Sequence, residues 1–324
     1  MIGIVVNSLK YNFFNSVLRR LGQSEMYSES YCVELGTRSV LEINGLDSVK
    51  FLQGLVSNDV ESVSPQNSIY AALLTPQGKF LYDFFIVQSD ENKMLLDCER
   101  RHLKEILMKL KIYKLRSEVN LRDASDDHKI FAGFGEKILE LVDLPKRPGA
   151  TRLYRGGYMM VDPRNELMGV RIILPSGLVV AEPTLKPVSV EFYQRMRIGL
   201  GIPDAAYDLE QNKTILLEAG FDELNGISWD KGCYMGQELT ARTKYRGLIK
   251  KRLMPCKIVG PEILPGTPIT LDERNVGEIR SVSGDQAMAL LKVASVKDSN
   301  ARKEALTANE SSIIPIQPDW MKLQ

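Results

Sequence analysis

Hydrophobic and polar positions along the chain change period in a readable order. Arg38–Ile43 alternates as a strand does, and Asn44-Gly45 turns it. Asp47 stands where a helix cap belongs, with Val49, Leu52, Leu55 and Val56 on one helical face. Tyr70–Leu74 and Phe80–Gln88 read as strands joined by the turn residues Thr75-Pro76-Gln77-Gly78, and Lys93–Asp97 as a third strand. From Arg100 to Lys111 the period lengthens to that of an amphipathic helix carrying Leu103, Ile106, Leu107 and Leu110. The alternation then recurs more loosely. Lys129–Gly133, Tyr158–Asp162 and Gly169–Leu174 read as strands, and Glu136–Leu141 and Ser189–Ile198 as helices. After Gly247 the texture becomes short strands and turns: Lys250–Ile258, Thr267–Leu271, Val276–Ser283 and Ala287–Val293. That spacing predicts a small β-barrel. These patterns divide the chain into an α+β body over 31–246, a barrel over 247–297 and a polar, loose tail over 298–324.

Composition adds bounds to this picture. The 324 residues are 44% hydrophobic and 26% charged with a net charge of +1, the make-up of an ordinary globular protein. Nothing in that balance calls for nucleic acid as a partner, and no apolar run is long enough for membrane insertion. Cys32, Cys98, Cys233 and Cys256 are too scattered for a disulfide framework or a zinc spacing. Residues 1–30 read differently. Met1–Ser24 holds no acid, Lys10, Arg19 and Arg20 are basic, and Phe13, Phe14, Val17, Leu18 and Leu21 recur at near-helical spacing. Such a segment reads as a mitochondrial transit peptide or, more plainly, as an N-terminal helix or tail.

The densest candidate chemistry is Lys231-Gly232-Cys233-Tyr234-Met235-Gly236-Gln237-Glu238. Two glycines bracket the cysteine and permit positive φ. Good helix formers follow, so Cys233 is expected just ahead of a helix N-terminus, where the helix dipole and Lys231 would favour a thiolate. A thiolate there could attack a sulfur centre or bind a soft metal. The other reading is a buried structural cysteine. Between Lys231 and Arg252 seven basic residues face one acid, Glu238, which suits a small anion or is simply a solvated face. His102 reads as a solvated surface histidine, and His128 follows Asp126-Asp127 in a loop-like stretch.

The run 231–238 matches the signature K-G-C-[FY]-x-G-Q-E of the YgfZ family, and Leu239-Thr240-Ala241-Arg242-Thr243 looks like its mitochondrial branch. Leu46–Asp59, Leu74-Thr75-Pro76-Gln77-Gly78-Lys79, Arg195–Pro203 and Leu217-Glu218 resemble further landmarks of that family in the right order. The resemblance implies the fold of the glycine-cleavage T-protein (GcvT-like): a folate-binding α+β body with ferredoxin-like units and a C-terminal β-barrel. It implies a factor of the mitochondrial matrix acting late in [4Fe–4S] protein maturation, with A-type Isca proteins and client enzymes as partners. Cys233 would be the working residue, as nucleophile or as ligand of an iron–sulfur cluster shared with a partner. Tetrahydrofolate would be the possible small cofactor. Asp83 aligns with the aspartate beside the reactive folate nitrogens, although an acid on an edge strand is the plainer reading. Arg197 stands where T-proteins place a pterin-binding glutamate, Glu218 is a possible substitute for it, and Arg242, with Lys244 and Arg246, is expected on the rim of the central cavity. A tetrahydrofolate-dependent aminomethyltransferase is the alternative. Because an arginine offers the pterin only donors, an efficient one is not expected.

Overall fold

The structure is a computed structural model, and it describes residues 29–247 and 249–323. The expected transit segment therefore lies almost wholly outside the described residues.

Two sheets make the body. The first has the order β3-β4-β5-β2-β6, from β2 (Arg38–Asn44), β3 (Ile69–Leu74), β4 (Phe80–Asp90), β5 (Lys93–Glu99) and β6 (Asn120–Asp123). The second has the order β11-β1-β7-β10-β9-β8, from β1 (Ser30–Glu34), β7 (His128–Gly135), β8 (Thr151–Tyr154), β9 (Gly157–Val161), β10 (Val170–Pro175) and β11 (Leu185–Pro187). Pairing is antiparallel except between β1 and β11. Helices α1 (Ser48–Gln53) and α2 (Leu103–Lys114) belong to the first sheet. Their buried Phe51, Leu52, Ile106 and Leu110 pack on Leu41, Ile43, Phe84, Ile86 and Leu96. A fully buried Leu, Ile or Phe side chain contributes about 2 kcal/mol, so this layer is a main source of the body's stability. The helix α3 (Ile138–Leu141) is a single short turn, and α4 (Val190–Gly199) is capped by Ser189 Oγ, which accepts from Phe192 N at 3.4 Å. Asp47 does sit at the N-cap of α1, but its carboxylate accepts from Glu118 N at 2.8 Å and so ties two loops together instead of capping.

The barrel is closed in the order β12-β15-β14-β13-β16-β17. Its strands are β12 (Lys251–Val259), β13 (Pro268–Leu271), β14 (Arg274–Ser283), β15 (Gln286–Lys292), β16 (Leu306–Ala308) and β17 (Ser311–Pro315). The helix α5 (Gln237–Tyr245) precedes it and α6 (Val293–Arg302) lies between β15 and β16. The segment 298–324 is not the loose tail its polarity suggests. Leu306, Ala308 and Ile313 are buried barrel core, and Trp320 Nε1 donates to Leu200 O at 2.9 Å. The segment is too polar to announce itself, yet without β16 and β17 the strands β12 and β13 would be open edges.

Candidate functional site

The motif loop 231–236 is held from several sides. Lys231 Nζ donates to Val56 O at 2.7 Å and to Asn58 O at 2.6 Å, so its charge is engaged by backbone carbonyls of the loop after α1. Burial pulls that ammonium down to about 8, against the opposing pull of Asp59 and Glu61. Met235 N donates to Gly54 O at 3.0 Å, and Tyr234 N donates to Gln237 Oε1 at 3.1 Å. The Tyr234 ring is buried with Leu74, Phe80 and Leu217. Gly236 takes φ +80 as the N-cap of α5; a Cβ there would press on Thr75 O and lie 2.9 Å from Leu74 Cβ and 3.1 Å from Gly78 Cα. Gly78, reciprocally, has room for no Cβ because Gly236 O would be 2.7 Å away. The two glycines let the motif loop and the β3–β4 turn interlock.

Two residues of the motif stand outside this anchoring. Gly232 has φ +89 with open space around it, and Cys233 is exposed. The other cysteines differ. Cys98 and Cys256 are buried and Cys32 is half-buried; burial pushes the Cys32 thiol up to about 11 and the other two further up. Cys233 is thus the accessible thiol on a rigidly held loop, four residues ahead of α5. Lys231, which the sequence sets beside this thiol, also has a structural part as the anchor of the loop.

The basic stretch resolves into separate roles. Arg252 is buried and pairs with Glu223 at 2.8 Å while donating to Leu217 O. Lys244 sits 3.8 Å from the centre of the Trp229 ring and 3.2 Å from Asp222. Arg242, Arg246, Lys250 and Lys251 are exposed. Arg242 belongs to the last turn of the helix that follows Cys233, and Arg246 caps its C-terminal end.

The remaining candidates do not converge on the cysteine. Asp83 lies on β4, which is an interior strand and not an edge. It is buried, accepts from Arg38 Nη1 at 3.0 Å and from Tyr70 OH at 3.2 Å. Arg38 Nε also donates to Asp97 Oδ1 at 2.7 Å, and Arg171 from the second sheet reaches the other oxygen of Asp97. Burial alone would raise the Asp97 carboxyl, but Arg171 and Arg38 hold it below its ordinary value. Beside Asp83 is a cavity of about 380 Å³, lined also by Glu99, Arg101, His102 and Lys213. His102 therefore belongs to a cavity wall and is half-buried, Nδ1 lying 3.1 Å from Glu105. Sequence reading missed Arg38, Asp97, Glu99 and Arg171; acids inside the apolar strands Phe80–Asp90 and Lys93–Glu99 were the available signal. Cys233, Arg197, Glu218 and Arg242 are not part of the cavity wall. Arg197 is fully buried in α4. Its Nη1 pairs with Asp208 at 2.5 Å and donates to Ile202 O, Nη2 donates to Ser281 Oγ at 3.2 Å, and Nε donates to Gln194. Glu218 is half-buried; burial raises its carboxyl while Lys251 and Lys79 pull it down.

Known proteins share both the barrel and the body. Residues 250–323 match the CAF17 C-terminal beta-barrel domain. The mitochondrial iron–sulfur cluster assembly factor IBA57 of Mus musculus is 30% identical over 314 residues, covering 89% of this chain and 85% of its own. The chain belongs to the IBA57 family. The Homo sapiens member is 29% identical with the same coverage of 89% and 85%. The homolog from Mycosarcoma maydis is 34% identical over 245 residues, 71% of this chain, and this chain spans only 57% of that relative's length. The fold of this IBA57-family chain is also that of the glycine cleavage system aminomethyltransferase T from Bartonella henselae, with a TM-score of 0.73 at 13% identity over 95% of this chain and 90% of that one. The residues present do not fit a folate held by an acceptor at position 197. Arg197 offers donors only and four of its five N–H groups are already engaged within the fold, both Asp83 oxygens already accept hydrogen bonds, and Glu218 and Arg242 stand apart from the cavity.

Proposed function

We propose that this chain is an iron–sulfur cluster assembly factor that presents Cys233 to a cluster held jointly with a partner protein. Its relatives are named as mitochondrial proteins, and the mitochondrial matrix is the compartment proposed for this chain. The observation that carries the reading is the exposed Cys233 on a loop whose neighbours are anchored to the body by Lys231, Tyr234, Met235 and Gly236. Anchoring removes the entropy cost of ordering a flexible loop when a ligand arrives. A single cysteine supplies one ligand, whereas a [2Fe–2S] or [4Fe–4S] cluster takes four. Among the described residues no group of three or more His, Cys, Asp or Glu side chains could hold a metal ion. The cluster is therefore cargo, completed by thiolates of the partner, and an A-type Isca protein is the partner this arrangement suits. The exposed Arg242 and Arg246 lie in the last turn and at the C-terminal end of α5, away from Cys233, and favour the approach of an acidic partner surface, an attraction screened over a Debye length of about 8 Å at physiological ionic strength. Delivery to [4Fe–4S] client enzymes late in their maturation is the corresponding cellular role.

The aminomethyltransferase alternative rests on Asp83 lining a cavity. Productive transfer needs the pterin held to about 1 Å, a misplacement of that size costing around a hundredfold in rate. No anchor of that kind is present at Arg197, so turnover with an aminomethylated lipoyl carrier and tetrahydrofolate is expected to be negligible.

The experiment is Cys233→Ser in the full chain. The variant is expected to fold with unchanged melting temperature, to lose the visible absorbance of the cluster complex formed with an A-type protein, and to leave [4Fe–4S] enzyme activities low in cells lacking the wild type. Complete rescue by Cys233→Ser would sink the proposal.

A further inference from the structure

The outer face of α2 is uncovered among the described residues and carries a second kind of site. Leu103, Ile106 and Leu110 of this helix face the core. On the other side Met108 is 61% exposed and Ile112 70%, and Leu115, the residue that ends the helix, is 87% exposed. Leu46, 74% exposed, lies in a turn from a distant part of the sequence that meets the chain just beyond α2. It is brought there by the pairing of Asp47 with Glu118, whose N donates to Asp47 Oδ2 at 2.8 Å. Leu115 also adopts φ +46, a backbone conformation that a branched apolar side chain rarely takes. The fold thus holds a leucine out at a tip where it adds nothing to the core.

Around this stripe the charge is one-sided. Residues 100–118 contain Arg100, Arg101, Lys104, Lys109, Lys111, Lys114 and Arg116 against Glu105 and Glu118, in a chain of net charge +1. Glu105 is engaged by His102 and Tyr82. Among the described residues Lys104, Lys109, Lys111, Lys114 and Arg116 make no salt bridge, in contrast to Arg101, which pairs with Glu99.

We propose that α2 and the turn at 45–47 adsorb the protein to an anionic phospholipid surface. Protruding leucines and isoleucine enter the acyl boundary, while lysine stems lie along it with their ammonium groups among the headgroups. Negative surface potential attracts unpaired cations of this kind. A bilayer accepts protruding side chains without a matching pocket; a protein partner would need a groove shaped for two separate tips. The chain's own first residues are a poor cover, because Met1–Ser24 carries Lys10, Arg19 and Arg20 with no acid. Single-stranded nucleic acid would call for stacking rings, and the one aromatic side chain of α2, Tyr113, is half-buried. This is adsorption of one face, not insertion of a span: no helix among the described residues is long and apolar enough to cross a membrane.

Sedimentation of the full chain with vesicles tests the proposal. Binding is expected to vesicles containing about a third phosphatidylglycerol and not to pure phosphatidylcholine. Raising the salt to about 0.5 M should weaken it on the order of tenfold. The double variant Ile112→Ser/Leu115→Gly should lose on the order of tenfold in binding at an unchanged melting temperature, since glycine takes positive φ without steric cost. Lys104→Glu/Lys111→Glu should lose at least as much. No binding to anionic vesicles, equal binding to both kinds, or wild-type binding by either variant would overturn it. So would binding of duplex DNA in place of vesicles, abolished by the charge variant. A chain lacking residues 1–28 that binds vesicles when the full chain does not would make that segment the occupant of the face and overturn it too.

Discussion

Arg197 offers the sharpest test of how this family member differs from a folate enzyme of the same fold. Its guanidinium is 1% exposed and joins α4 to the barrel through Asp208 and Ser281, Asp208 in turn accepting from Ser281 Oγ at 2.5 Å and from Asp204 N at 2.9 Å. Arg197→Met removes the cation and leaves Asp208 buried with two neutral donors. Removing one partner of a buried ion pair costs about 3–5 kcal/mol, far above the ~1 kcal/mol of an ordinary hydrogen bond. Adding Asp208→Asn to that variant removes the stranded charge, so the double variant should recover a large part of the loss, with a coupling of about 2 kcal/mol or more. Arg197→Glu, which writes the T-protein's acceptor into this position, should be worse than Arg197→Met because two carboxylates would then face each other in the interior. Urea denaturation followed by circular dichroism measures the wild type, the two Arg197 variants, Asp208→Asn alone and the double variant. A loss below about 1 kcal/mol for Arg197→Met, or strict additivity in the double variant, would refute the strut and make position 197 a candidate ligand residue again.

Two further predictions concern the cavity and the motif loop. Burial pushes the Glu99 carboxyl up from 4.5 to about 7, with Asp204 and Asp83 adding to it and Arg38 opposing. The folded state therefore binds this proton more tightly than the unfolded one, and the associated stability is present at acid pH and lost as pH rises from about 4.5 to about 7. Glu99→Gln should raise stability at pH 8 by on the order of 2 kcal/mol and leave it unchanged near pH 4, and a pH-independent difference in melting temperature would contradict this. Gly236→Ala, strained at φ +80 and pressed on the β3–β4 turn, should cost about 2 kcal/mol or more, whereas Gly232→Ala, at φ +89 in open space, should cost about 1 kcal/mol; equal losses in thermal denaturation would show that the interlock with Gly78 does not matter.

Periodicity in the sequence was enough to place most strands and helices of the body and the start of the barrel, because half-buried strands and amphipathic helices write their environment into a local alternation. The Cys233 motif was equally legible, since its two bracketing glycines already point to the positive φ that both adopt. Short strands such as Thr151–Tyr154 and Leu185–Pro187, and the barrel-closing β16 and β17, were not legible, since three to five residues carry too little pattern and owe their conformation to the neighbour they pair with. The same holds for the charges. By sequence, Lys231, Arg197 and Arg252 are only cations near a possible anion site; tertiary structure assigns each of them to a backbone carbonyl or buried carboxylate. It also brings the turn that carries Leu46 to the chain just beyond α2. A local pattern reports whether a position is buried or exposed, but a charge acquires its role from the partner that long-range folding brings within a few ångströms, and in this chain those partners come from other strands and loops.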